Sequence, residues 1–90
     1  LDSDTYRAHV NDTTIQLTST EHRLLRYFME NVDQALTLTH LLQAVWEYPS
    51  DAGDPDLVRA HVRNLRAKIE LDPTRKYIRT IHGVGYMMSS

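Results

Sequence analysis

Between Arg59 and Lys68 the chain sets Arg59, Arg63, Asn64, Arg66 and Lys68 among Ala60, Val62, Leu65 and Ala67. Arginine can donate two parallel hydrogen bonds to guanine, asparagine can exchange a pair with adenine, and lysine or arginine can neutralise phosphate. Spacing sorts these side chains. At about 100° per residue, Val58, Val62, Leu65 and Ile69 fall on one narrow apolar stripe of a helix. Opposite them lie Arg59, Ala60, Arg63, Asn64, Ala67 and Glu70, with Arg66 and Lys68 on the flanks. The methyl groups of Ala60 and Ala67 leave room for close approach at the middle of the outer face. Arg63 and Asn64 are therefore candidates for base edges, joined by Arg59, which lies further to the side. Arg66 and Lys68 are candidates for phosphates. The competing reading is a solvated helix with ordinary surface arginines.

The formal charge of −2 speaks against a polyanionic partner until its distribution is followed. From Arg59 to Arg79 there are seven Lys/Arg against two Asp/Glu, a local +5, and the remaining residues carry −7. The local field decides binding, and an acidic far side weakens indiscriminate adhesion. Beyond the helix the basic set continues with Arg75, Lys76 and Arg79, followed by Thr80, all expected at a nucleic-acid backbone.

Other chemistries find little support. There is no cysteine, which removes disulfides, thiolate zinc sites and thiol nucleophiles and fits a reducing cytosol. The five histidines, His9, His22, His40, His61 and His82, include no pair at the three- or four-residue spacing that faces two ligands together on a helix. No metal and no cofactor are expected, and a structural hydrogen bond is the expected role of His61. There is no nucleophile elbow and no carboxylate pair with evident spacing, so an enzyme is not expected. Gly83-Val84-Gly85 lacks the third glycine and following helix of a phosphate-binding loop. No apolar run approaches the roughly 20 residues of a membrane span and no signal-peptide pattern opens the chain, so the expected location is the cytoplasm.

The elements that must position the basic residues are punctuated by local signals. Ninety residues suit one domain, 1–90, with a modest core. Thr5 to Val10 and Thr13 to Leu17 have strand composition around an Asn11-Asp12 turn, with Tyr6, Ala8, Val10, Ile15 and Leu17 directed inward. Thr18-Ser19-Thr20-Glu21 is a capping box and predicts a helix to about Asn31 that buries Leu24, Leu25, Phe28 and Met29. Thr37 is the expected cap of a shorter helix burying Leu41, Leu42, Val45 and Trp46. A polar loop from Glu47 to Gly53 leads into the basic helix, which Asp54 caps, Pro55 opens and Pro73 closes. Tyr77 to Ile81 and Tyr86 to Met88 form a hairpin whose glycines supply the positive φ of a tight turn.

Taken together these segments resemble the DNA-binding effector domain of OmpR/PhoB-type response regulators. The resemblance rests on Leu17-Thr18 with Glu21 and Leu24-Leu25, on Leu36-Thr37 with Leu41-Leu42 and Val45-Trp46, on His61 to Ile69, and on Ile78 to Tyr86. It implies an α+β winged helix-turn-helix: an N-terminal antiparallel sheet, three helices and a C-terminal hairpin wing. It implies an output domain that binds double-stranded DNA as a dimer after a receiver domain addressed by a sensor histidine kinase, the isolated domain being monomeric. The long helix would enter the major groove, the wing would reach a minor groove through His82 and Gly83, and Tyr48, Ser50 and Asp51 would contact RNA polymerase. A passive connector is the equal alternative for that loop. An additional family strand precedes the position of Leu1. Asp56 and Arg59 stand where the family often has a basic residue and an acid respectively. His22 replaces an aromatic or aliphatic residue, and His82 an arginine. A winged helix that binds protein instead of DNA is the alternative function; it would show exposed aromatics or aliphatics where this helix shows arginines.

Overall fold

Three side-chain caps set the starts of the three helices in the computed structural model, which describes residues 4–10, 12–46, 53–71 and 76–89. Helix α1 (Ser19–Glu30) opens on the full capping box: the Thr18 hydroxyl accepts from the Glu21 amide at 3.1 Å, and Glu21 accepts from the Thr18 amide at 2.8 Å. Helix α2 (Leu38–Val45) opens on Thr37, whose hydroxyl accepts from the His40 amide at 3.0 Å. Helix α3 (Pro55–Ile69) opens on Asp54, which accepts from the Asp56 amide at 2.9 Å, with Pro55 where no amide is needed. It ends at a Glu70 cap, and Pro73, expected to close it, lies outside the described residues.

Strands β1 (Arg7–Val10) and β2 (Thr13–Gln16) form an antiparallel pair, with Ala8 opposite Ile15 and Val10 opposite Thr13. A second sheet has the order β3-β5-β4, built from β3 (Leu36–Thr37), β4 (Ile78–Ile81) and β5 (Gly85–Met88), all antiparallel. The hairpin was expected; its third strand was not. Leu36 and Thr37 are too few to show an alternation, and their partners Tyr86 and Gly85 lie far along the chain.

The apolar stripe of α3 is the floor of the core. Val58, Val62, Leu65 and Ile69 are at most 3% exposed, and they meet Leu24, Leu25 and Phe28 of α1 and Leu41, Leu42 and Val45 of α2. Burying one such side chain contributes about 1.5–3 kcal/mol, so this cluster fixes the presentation of the outer face of α3. Trp46 is half-buried at the edge of the core and stands edge-on to His61, whose Nδ1–H donates to the Leu57 carbonyl at 2.9 Å.

Two inward assignments need correction. Tyr6 is 42% exposed, because φ of 56° at this residue breaks the alternation before β1 begins. Met29 is 49% exposed, on the rim of an open groove it shares with Val10, Ile69 and Met88. His22 is buried and stacks obliquely against the Tyr6 ring at 5.1 Å, so a polar residue does occupy that core position.

Candidate nucleic-acid interface

With its apolar stripe seated, α3 turns Arg59, Arg63, Asn64 and Ala67 to solvent and leaves Ala60 half-buried between them. Arg63 and Asn64 have no hydrogen-bond partner among the described residues, so their donors are available to a ligand. Arg59 is engaged: its Nη1 donates to Asp56 Oδ1 at 2.5 Å, one turn toward the helix start. Asp56, Arg59, Ala60, Arg63, Arg66 and Tyr86 line a shallow groove of about 590 Å³ along this face.

The wing adjoins that groove. β4 and β5 are connected through His82-Gly83-Val84, where Gly83 has φ of 78°, a conformation that costs a side-chain-bearing residue about 1 kcal/mol or more. Gly85 is required for a different reason than the positive φ expected of it. A Cβ there would lie 2.0 Å from the Leu36 carbonyl oxygen, so glycine is what lets β5 approach β3. His82, Gly83 and Thr80 share a second concavity with Arg59 and Leu38, which puts the wing tip and the start of α3 on one continuous surface. Lys76 and Arg79 are exposed and border a third concavity with Arg66 and Thr80.

Two residues one helical turn apart tie the wing to α3. Arg66 donates from Nη2 to Thr80 Oγ1 at 2.9 Å and lies 5.1 Å from the centre of the Tyr86 ring. Glu70, expected on the solvated face, instead accepts from the Tyr77 and Ile78 amides at 2.7 and 2.9 Å, satisfying the start of β4. Arg66 and Thr80, both expected at phosphates, thus hold one another in the free protein. Lys68 is likewise occupied, because its ammonium meets Glu21 Oε1 at 2.6 Å. Burial raises the Glu21 carboxyl, but the Lys68 hydrogen bond and charge and the Thr18 donors outweigh it and hold the group below the ordinary 4.5. Lys68 is therefore a strut between α3 and α1, and a phosphate would have to compete with a buried carboxylate for it.

No local window of sequence contained these contacts: Lys68 and Glu21 are 47 residues apart, and Arg66 and Thr80 are 14 apart. Arg75, Tyr48, Ser50 and Asp51 lie outside the described residues. No helix among the described residues is long and apolar enough to cross a membrane.

A long helix with an arginine- and asparagine-bearing outer face, set behind a shorter helix and beside a β-hairpin, is the arrangement of a winged helix-turn-helix DNA-binding domain. The sequence profile described as "Transcriptional regulatory protein, C terminal" matches residues 12–88. The chain belongs to that family, the DNA-binding output domains of OmpR/PhoB-type two-component response regulators. It is 41% identical over 87 residues to the alkaline phosphatase synthesis transcriptional regulatory protein PhoP of Bacillus subtilis (strain 168), covering 94% of this chain and 35% of PhoP. The chain thus spans about a third of that relative's length. Among solved structures it is similar to the response regulator DrrB of Thermotoga maritima, an OmpR/PhoB homologue, at 33% identity and a TM-score of 0.83, covering all of this chain and 41% of DrrB. The AdeR DNA-binding domain, solved in complex with an intercistronic region, gives 26% identity and a TM-score of 0.81, covering all of this chain and 92% of that one.

Proposed function

We propose that α3 lies in the major groove of double-stranded DNA with Arg63, Asn64 and Arg59 toward base edges. Arg75, Lys76 and Arg79 take phosphates, and His82 and Gly83 bring the wing to an adjacent minor groove. Thr80 reaches the backbone beside them, while Arg66 holds the wing in register and adds its charge to the surface. The observation that carries this reading is the pair Arg63 and Asn64, exposed and unpartnered between Ala60 and Ala67 on the face opposite the core. Its support from outside the chain is the AdeR domain, whose described complex contains DNA.

The wider reading follows the family. Residues 1–90 act as one output domain of a longer cytoplasmic response regulator, in which a receiver domain answers a sensor histidine kinase. The domain pairs with a second copy on DNA, and the 47–53 loop touches RNA polymerase through Tyr48, Ser50 and Asp51.

Fluorescence anisotropy with duplex DNA across a salt series tests the core of the proposal. Binding should weaken with a log–log slope of about −0.9 per phosphate neutralised. No binding at low salt, or a flat response, would refute it and favour a protein-binding module.

A further inference from the structure

The base-facing side of α3 carries an acid. Asp56 is the second residue of the helix, its side chain is 74% exposed, and it lines the same groove as Arg59 and Arg63. In winged and helix-turn-helix domains the N-terminal residues of the recognition helix meet base edges. An acid placed there raises the cost of every complex in which it finds no donor, because the ligand is a polyanion. The major groove offers two donors, cytosine N4 and adenine N6. Adenine sets its N6 beside the N7 acceptor, which repels a carboxylate, whereas cytosine N4 has only a C–H beside it.

The partner of Asp56 completes the recognition chemistry. Arg59 spends Nη1 on Asp56 Oδ1, and Asp56 Oδ2 has no partner among the described residues. Nη2 and Nε of Arg59 remain, a parallel fork that matches guanine O6 and N7. The ion pair also fixes the plane of the guanidinium, so less rotamer freedom is lost on binding.

We propose that Asp56 and Arg59 act together as a base reader, Asp56 accepting from a cytosine N4 amino group and Arg59 donating to the guanine of a neighbouring base pair. The inference rests on the DNA-binding reading and adds to it a particular base preference at one end of α3.

The test is selection of bound sites from random duplex DNA with the wild-type chain, Asp56→Ala, Asp56→Asn and Arg59→Ala in parallel. Anisotropy on the selected site and its single-pair variants then measures discrimination. In the wild type a cytosine column should neighbour a guanine column. Asp56→Ala should bind unrelated duplexes at least as tightly as wild type while its cytosine preference falls by roughly ten- to a hundredfold. Asp56→Asn should move that column toward adenine, and Arg59→Ala should flatten the guanine column. Asp56→Asn keeps a polar residue of the same shape, and its column shift decides the matter should Asp56→Ala weaken the helix. A defined wild-type site whose columns survive Asp56→Asn unchanged would overturn the inference and leave DNA binding intact. Equal loss of affinity for all sequences in both Asp56 variants would also overturn it, making the acid a stabiliser of the helix start. A wild-type chain that enriches no sequence would overturn both readings.

Discussion

Replacing Lys68 by methionine would keep the apolar stem along α3 while deleting the ammonium 2.6 Å from Glu21. The Glu21 side chain is 6% exposed and would be left with only Thr18, through its amide and its side chain, as a charge-stabilising partner. Stranding one member of a fully buried pair costs about 3–5 kcal/mol, but Lys68 retains 37% side-chain exposure, so solvent screening reduces the expected loss to about 1–2 kcal/mol. In a domain of this size that is a fall of roughly 5–15 °C in Tm at neutral pH. The pH dependence has a defined sign. A carboxyl held below 4.5 in the folded state contributes stability that is present above 4.5 and lost as pH falls through the lowered folded value. Lys68→Met removes much of that depression, so the gap between variant and wild type should narrow in acid, below about pH 4. Thermal denaturation at several pH values, with Glu21→Gln and the double variant to close the cycle, measures the coupling. The same variant should leave the salt slope of DNA binding unchanged. An unaltered Tm together with a slope reduced by about 0.9 would refute the strut and make Lys68 a phosphate contact.

Other parts of the interface can be tested in the same way. Arg63→Ala and Asn64→Ala should each relax preference at one base-pair position, at a cost of about 1–3 kcal/mol, read from binding to single-pair variants of a selected site. Gly85→Ala should lower Tm by more than 10 °C, because a Cβ 2.0 Å from the Leu36 carbonyl forces β3 and β5 apart; melting monitored by circular dichroism checks it. Thr80→Val removes the hydrogen bond that holds Arg66 and should change wing-dependent preference for A·T-rich flanks, non-additively with Arg66→Gln in a double-mutant cycle. His82→Arg adds a permanent charge at the wing tip and should tighten binding most on A·T-rich flanks, measured by anisotropy.

What could be read from the sequence was local. Thr18 with Glu21, Thr37, and Asp54 with Pro55 signal helix starts within four residues, and all three caps are formed. The period of Val58, Val62, Leu65 and Ile69 was enough to find the buried side of α3 and, by subtraction, its exposed basic side. Polar side chains whose partners lie elsewhere in the chain could not be placed this way. Helical spacing shows that Lys68, Arg66 and Glu70 avoid the core, yet says nothing of Glu21, Thr80 or the Tyr77 amide waiting beside them. Tyr6 and Met29 failed for a related reason: a periodic position is buried only where another element arrives to cover it.

Thr37 belongs to two elements at once, pairing with Gly85 in the sheet and capping α2. With Arg66 and Glu70 holding the other side of the hairpin, the wing is clamped from both flanks and its tip stands at a set height beside α3. The domain is in that respect a calliper with fixed jaws. On the proposed docking, a duplex whose minor groove lies at the wrong depth or phase for the second jaw must itself bend to be gripped, and stiff sequences resist. Operators would then be sorted by the pliability of base pairs that no side chain touches.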